Sequence, residues 1–495
     1  MVVDKSGNVY VTGYTRNSVF NPTDEDFLTI KYNSSGILEW SRTYDGPDWN
    51  NHSEDRAYAL VVDDSGNVYV TGYSQNTGGF ITLNYLTIKY NSLGDTLWTR
   101  RYSGNFILDI SYSIALDDSN NVYVTGYGLT CDSCEDYVTI KYNTYGDLQW
   151  NRNFDGLVHG ADIAYPINVD KNGNVYVTGY SRSFGNEHVA ATIKYDRNGI
   201  EKWRVSYDST TGFEIEVDDS GNVYIGGNTY RDGNFLLLIK YDSSGVQKWV
   251  KQIPGAIRDL VKDDSGHIYV AGSVVNGQGY DYLTIKFNSN GDSLWTRRYD
   301  AAFHSSDDAA SIAVDKNNNV YVTGSSDRSL FYHQFATIKY SPLGTQQWVI
   351  NYSLLTFGDN KAVKIKVDTL NNIIVSGYSV NSSGYTDFVT IKYSPITDVS
   401  NLQNLLQDSF ELNQNYPNPF NPITTIGYMV KSKSEIKITV YNSLGKLVAR
   451  LVNKIQEPGR YETTFKASNL SSGIYFYNLE INGSIFNKKK LLLIK

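Results

Sequence analysis

The chain has 495 residues and is rich in Tyr (41), Gly (41), Phe (19) and Trp (8) but poor in Cys (2), Met (2) and His (6). Aromatic and β-branched residues favour strands, and Gly and Asn favour tight turns, so the composition points to an all-β chain and away from a helical bundle. Two cysteines make neither a disulfide framework nor a four-thiolate zinc site, no apolar run reaches the about 18 residues of a membrane helix, and a formal charge of −8 disfavours nucleic acid as a partner. The charge is uneven: residues 416–495 hold 12 basic and 4 acidic side chains, or +8, which leaves −16 on residues 1–415 and suggests two parts with different tasks.

Along the chain, Asp4-Lys5-Ser6-Gly7-Asn8-Val9-Tyr10-Val11-Thr12-Gly13 recurs from Asp63, Asp117, Asp170, Asp218, Asp263, Asp315 and Asp368, making eight copies at a mean period of 52 residues. Each copy predicts four strands. In the second, Ala57 to Val62 is followed by an Asp63-Asp64-Ser65-Gly66 turn, then Asn67 to Tyr73, then a variable loop. Tyr85 to Tyr90 alternates with period two, and Asn91-Ser92-Leu93-Gly94 turns it into a fourth strand around Trp98. Four short strands at this period predict a β-propeller blade, because one small sheet buries its faces only when neighbours stack on it.

These units, Asp-x-x-Gly-Asn-Val-Tyr-Val-Thr-Gly, then Thr-Ile-Lys-Tyr, then Gly-x-x-x-Trp, resemble the SBBP β-propeller repeat over residues 1–395, with copies starting near 1, 57, 111, 164, 212, 257, 309 and 362. The resemblance implies a propeller in an exported or surface protein and carries no activity with it. Copy one has only a stub of its first strand. Copy eight ends at Tyr393 without a Trp strand, so Trp40, Trp98, Trp150, Trp203, Trp249, Trp295 and Trp348 serve eight copies. An N-terminal strand commonly completes the last blade of a propeller. The expectation is therefore eight blades, the last lacking its outer strand, with a signal peptide and a Trp-bearing strand preceding Met1 in the natural protein.

Residues 396–414 read as a polar linker with a short helical turn. Asn415-Tyr416-Pro417-Asn418-Pro419-Phe420-Asn421-Pro422 then forces an extended entry, and six β-like runs predict a small immunoglobulin-like sandwich over 415–495. Residues 415–495 closely resemble the type A C-terminal sorting domain of the type IX secretion system. The matching positions are Asn415, Tyr416, Pro417, Asn418, Pro419 and Phe420, then Thr424 to Ile426, Val440 to Gly445, Ser472 to Tyr477 with Gly473 and Tyr475, and Lys488, Lys489 and Lys490 before Leu491 to Leu493. The resemblance implies transit through the periplasm, recognition by the outer-membrane translocon, and a place outside the cell or on its surface.

Candidate chemistry is sparse. The Asp-x-Ser-Gly-Asn turns could hold calcium, but one hairpin turn supplies few of the six to eight oxygens that calcium requires, so the carboxylate is expected to bond the turn's own amides. The strand-three lysines (Lys31, Lys89, Lys141, Lys194, Lys240, Lys286, Lys339 and Lys392) are expected to pair with the turn carboxylates, as Asp63 with Lys89 and Asp117 with Lys141, because an unpaired buried ammonium is costly. Cys131 and Cys134 lack the βαβ context of a redox motif, and a local disulfide is the expected state.

The chain has no Cys-Cys pair of a quinone dehydrogenase, no sialidase box, no Gly-x-Ser-x-Gly elbow, no His-Glu-x-x-His and no phosphate loop. Repeat Trp and Tyr are expected to pack blades. Function is expected on the variable loops Thr15 to Glu25, Pro47 to Asp55, Gln75 to Asn84, Leu129 to Glu135, Ser181 to His188 and Ser325 to Phe335. Two readings stand. The first is a secreted or surface-attached scaffold that binds proteins or glycans, with no cofactor. The second is an exported hydrolase, lyase or quinone enzyme, which requires acidic, basic or His side chains converging at the propeller mouth.

Overall fold

The computed structural model describes residues 1–16, 25–46, 53–77, 81–104, 107–131, 134–229, 235–277, 279–301, 306–329, 332–354, 358–381, 384–394, 411–430, 432–457 and 459–494. Most of the predicted linker, and parts of the predicted loops, lie outside them. The chain divides into two units, Met1–Ser394 and Pro395–Lys495.

Local chemistry sets each blade. In the turn after the first strand, Asp63 Oδ1 accepts the amides of Ser65 and Asn67 at 3.0 and 2.9 Å, and Oδ2 accepts Asn67 Nδ2 and the Tyr69 hydroxyl at 2.8 and 3.0 Å. Asp117, Asp170 and Asp315 hold their turns with the same donors. One carboxylate thus fixes the turn and orients a buried Tyr in the following strand.

The first strand of blade 2, Asp55–Val62, pairs with Val68–Thr77, which pairs with Ile81–Tyr90, which pairs with Thr96–Tyr102, all antiparallel. Six other four-stranded sheets repeat this order, and an eighth has three strands among the described residues, Asn360–Val367, Ile373–Val380 and Thr386–Tyr393. From blade 2 onward the first strand carries a β-bulge at one position, as between Ala57 and Ala59 or Gly212 and Glu214. The bulge drives the first-strand carbonyl towards the second strand. A Cβ on Gly72, Gly126, Gly179, Gly272 or Gly377 would lie only 1.9–2.0 Å from that oxygen, which accounts for the Gly ending the Val-Tyr-Val-Thr-Gly strand.

The core lies between blades. Tyr10, Phe27 and Trp40 of blade 1 pack with Ala57, Leu60, Val68 and Val70 of blade 2, and each following seam repeats the arrangement. A polar latch accompanies the apolar contact at the first six seams. Trp98 Nε1 and Lys89 Nζ both donate to Thr144 O of the next blade at 3.1 Å, and Arg100 Nε donates to Gly146 O at 2.6 Å. The indole lies so close to Gly146, which has φ +84°, that a Cβ there would stand 2.9 Å from Trp98 Cδ2. Trp40, Trp150, Trp203, Trp249 and Trp295 make the same bond to Ser92, Arg197, Ser243, Ser289 and Pro342.

Blade 8 meets blade 1 through a smaller cluster of Val9, Val11 and Ile374 with Phe388, and Lys392 Nζ donates to Ser34 O at 2.8 Å as Lys31, Lys89, Lys141, Lys194 and Lys240 do to their next blades. The ring therefore closes on itself, as a β-propeller.

The second unit has two antiparallel sheets, one of Glu411–Leu412, Ile423–Val430 and Gly459–Lys466, the other of Leu447–Gln456, Ser434–Asn442, Gly473–Ile481 and Ser484–Leu493. One core of Ile426, Tyr428, Ile436, Ile438, Phe465, Tyr477 and Leu491 lies between them, as in an immunoglobulin-like sandwich.

Gly126→Ala is expected to destabilise the propeller by about 3 kcal/mol, since the new methyl meets backbone rather than a movable side chain. Gly384→Ala, in open space at φ +83°, is expected to cost about 1 kcal/mol. Urea unfolding of the two variants measures the difference, and equal losses would show that the bulge contact is not the constraint.

Candidate functional site

The bulge that excludes a side chain from the second strand re-aims one on the first. The bulged residues are Tyr58, Tyr112 and Phe213 in blades 2, 3 and 5, Arg258, Ala310 and Val363 in blades 6 to 8, and Tyr165 within the irregular stretch of blade 4. Four consecutive blades thus present an aromatic ring at one level. The rings form a continuous row: Tyr58 to Tyr112 at 5.3 Å between centroids, Tyr112 to Tyr165 at 5.6 Å, and Tyr165 to Phe213 at 5.5 Å. Tyr73 and Tyr127 back the row at 5.8 and 5.9 Å.

The row walls a cavity of about 590 Å³ at the end of the channel from which the first strands start, and Glu214, Asn228, Arg258 and Lys364 complete the lining. Arg258 pairs with Asp308 at 3.3 Å.

Beneath the row the channel is charged. Asp259 is buried and accepts Lys364 Nζ, reaching from blade 8, at 3.0 Å, together with Ser311 Oγ at 2.5 Å and the Ile312 amide at 3.0 Å. Burial, the largest single influence, would raise the Asp259 pKa, but the Lys364 ammonium and the hydrogen bonds from Ser311 and the Ile312 amide together hold the carboxyl below its ordinary value. Glu214, half-buried near that carboxylate, is pushed well above the carboxylate range, first by loss of solvent around it and then by the Asp259 charge. Glu216 is raised to about 7, chiefly by burial. Lys366 is lowered by burial and by Lys364. At neutral pH the channel thus holds one fixed ion pair and a proton-bearing Glu214.

The residues singled out by sequence fall elsewhere. Asp63 and Lys89 stand at the tight-turn end of the blade with Tyr69 between them. The tyrosine hydroxyl donates to Asp63, Lys89 Nζ lies 4.8 Å from the ring centre, and the ammonium's direct bonds go to Thr144. Burial lowers the Lys89 pKa and the Asp63 charge opposes the shift. Asp117, Tyr123 and Lys141 repeat the arrangement, with Lys141 donating to Arg197 O at 2.9 Å. In blade 8, where Ile374 replaces the tyrosine, Lys392 pairs directly with Asp368 at 3.4 Å. Cys131 pairs with Cys134 in the backbone register at a hairpin end, and Cys134 is disulfide-bonded.

In the second unit, two segments of the sorting signal meet although about seventy residues separate them. The Phe420 amide donates to Leu492 O at 2.9 Å, the Ile494 amide to Phe420 O at 3.0 Å, and the Leu492 amide to Asn418 Oδ1 at 2.9 Å. The Asn415 amide donates to the Tyr477 hydroxyl at 2.9 Å, and its side chain reaches Pro417 O and Thr424 Oγ1. Tyr416 and Phe420 bracket prolines 417 and 419; Phe420 is buried against Phe465, and Tyr416 is exposed. Gly445 takes φ +76° in the hairpin turn, and Tyr475 is buried with its hydroxyl on Ser471 O. Gly473 begins the strand that carries Tyr475, and the edge strand beside it presents exposed Lys488 and Lys490, with Lys489 half-buried between them.

The aromatic row was not singled out from the sequence. Its signal was present: Tyr58, Tyr112, Tyr165 and Phe213 each stand five residues before the turn Asp of their repeat.

Comparison with known proteins agrees with this geometry. Residues 50–80, 97–129 and 295–332 match the β-propeller repeat family SBBP, and residues 414–495 match the secretion system C-terminal sorting domain. The chain thus carries SBBP β-propeller repeats and a type IX sorting domain, and the sorting domain implies export and a place outside the cell or on its surface. No curated protein matches the chain. Among solved structures it is similar to the Dos1 propeller (TM-score 0.47, 10% identity, 74% of this chain and 91% of that one). It is also similar to a eukaryotic initiation factor (0.40, 10%, 77% and 88%) and to the calcium-binding protein regucalcin from Agrobacterium tumefaciens str. C58 (0.28, 13%, 54% and 81%). Among the described residues no helix is long and apolar enough to cross a membrane.

Several carboxyls keep their protons in the folded chain where the unfolded chain has released them: Glu216 to about 7, and Asp109 and Asp136 to about 6, all chiefly through burial. Folding therefore takes up protons between the ordinary carboxylate range and neutrality, so stability falls as pH rises through that window. Thermal melts in chelator from about pH 5 to 8 should show a falling Tm, with a shallower fall in Glu216→Gln. A Tm that rises over this range would contradict the assignment.

Proposed function

We propose that the protein is an exported carbohydrate-binding propeller that takes a glycan at the aromatic end of its channel. The observation that carries the reading is the unbroken row of Tyr58, Tyr112, Tyr165 and Phe213. Sugar rings offer apolar C–H faces framed by hydroxyls, and rigid aromatic side chains beside a few fixed polar groups suit both features. Arg258 and a protonated Glu214 supply polar groups at the edge of the same cavity, and Asn228, whose side-chain amide is bonded to the Ile257 backbone, lines it. Binding is favoured over catalysis because Asp259, the channel carboxylate held below its ordinary pKa, is committed to Lys364, Ser311 and the Ile312 amide and is not free to act as a base. The sorting domain delivers this ring to the exterior, where polysaccharides are met.

Screening the full chain against a glycan array, followed by titration of the best oligosaccharide, tests the reading. Tyr165→Ala and Phe213→Ala should each weaken binding at least about tenfold, the effect of losing roughly 1.4 kcal/mol of contact, while leaving the melting transition nearly in place. Retention of no glycan, or a protein ligand whose affinity is indifferent to both substitutions, would overturn it.

A further inference from the structure

The same end of the ring carries a second construction, at the seams where one blade's outer strand hands the chain to the next blade's first strand. Asp136 opens the third strand of blade 3, Asp155 follows its outer strand, and Asp162 opens blade 4; one ligand atom from each lies within 4.8 Å of the others. Asp26, Asp45 and Asp55 form the same triad between blades 1 and 2. Carboxylates gathered this closely repel one another, and burial deepens the penalty.

The inner members are not satisfied by the protein. Asp136, Asp162 and Asp55 are 3%, 0% and 0% exposed, and Oδ1 of each has no hydrogen-bond partner. Their Oδ2 atoms are held by Thr130 Oγ1 at 2.5 Å, by the Gly156 amide at 2.7 Å, and by Ser53 Oγ at 2.5 Å with the Gly46 amide at 2.7 Å. Each carboxyl is thereby fixed in orientation with one oxygen left over. Glycine is required beside them: a Cβ on Gly46 would meet Asp55 Oδ2 at 2.9 Å, and one on Gly156 would meet Asp162 Oδ1 at 2.7 Å. The surrounding charge is modest. The exposed His159 reaches Asp155, the Ser74 and Ser181 hydroxyls lie close enough to Asp55 and Asp162 to favour their charged forms, and Arg101 does the same at Asp55.

We infer that these two triads, Asp136–Asp155–Asp162 and Asp26–Asp45–Asp55, each bind one calcium ion that staples adjoining blades. The donors are all hard oxygens, with no thiolate or imidazole in either triad, which suits calcium rather than zinc. Oxygens around one calcium at about 2.4 Å lie no more than about 4.8 Å apart, and the atoms of each triad fall within that limit. Three carboxylates leave open positions that water completes. The turn carboxylates, by contrast, are taken up by protein donors on both oxygens, as at Asp63. The calcium considered there on sequence grounds is therefore assigned to the seams. The inference is independent of the glycan reading.

The test uses the full chain stripped with chelator. Terbium, an oxygen-seeking calcium probe, should bind at two sites per chain, in keeping with the two triads, and be displaced by calcium. Calcium at about 1 mM, the range in which extracellular modules bind it, should raise Tm by several degrees, and magnesium should do so far less. Asp162→Asn should remove one terbium site, and Asp55→Asn combined with it should remove both. No saturable terbium binding by the unaltered protein, equal stabilisation by magnesium, or retention of both sites in a folded double variant would overturn the inference.

Discussion

The ring depends on one repeated contact: an indole and an ammonium from one blade converging on a single carbonyl of the next. At Thr144 O the two donors are Trp98 and Lys89, and the acceptor belongs to a turn whose Gly146 lets the indole lie flat against the backbone. A neutral hydrogen bond between proteins and solvent-competed groups contributes only about 1 kcal/mol. Repetition around the ring, over an apolar cluster at every seam, makes the sum large. Tyrosine supports the same contact from behind. Tyr69 holds Lys89 over its ring while donating to Asp63, so turn, strand and latch form one connected network. Much of the Tyr excess in the composition is this network counted once per blade.

The two ends of the ring have been given different work. The tight-turn end carries the Asp turns and the latches, all spent on structure. The opposite end carries the variable loops, the bulged first-strand residues and the acidic seams. The bulge connects them physically, because the displacement that demands Gly72 or Gly126 in the second strand is also what turns Tyr58 or Tyr112 towards the channel mouth. A backbone irregularity inside the scaffold thereby positions the candidate site without needing a long loop to do so.

The blade architecture was legible in sequence because its determinants are local and repeated: an Asp-x-x-Gly turn, a strand alternating with period two, a Gly before a Trp strand. The sorting domain was legible because its motifs stand in order over the whole unit. What sequence did not disclose was the partner of each repeated lysine, since a backbone carbonyl on the next blade has no residue signature. Nor did it separate packing aromatics from presented ones. Tyr69 and Tyr112 look alike in composition, yet one is sealed in a seam and the other faces a cavity because it occupies a bulge. The acidic triads were hidden for a related reason: Asp136 and Asp162 come from strands of different blades and Asp155 from the connection between them, so they converge only when the two blades pack.

If the latch is the constraint on which the ring rests, its two donors must act together. A double-mutant cycle on the full chain, with Trp98→Phe, Lys89→Met and the pair measured by denaturant unfolding, examines this directly. The account predicts that each single change destabilises the propeller and that the two are coupled by at least about 0.5 kcal/mol, as groups sharing one partner are. Strict additivity, or stability unaffected by either change, would contradict it.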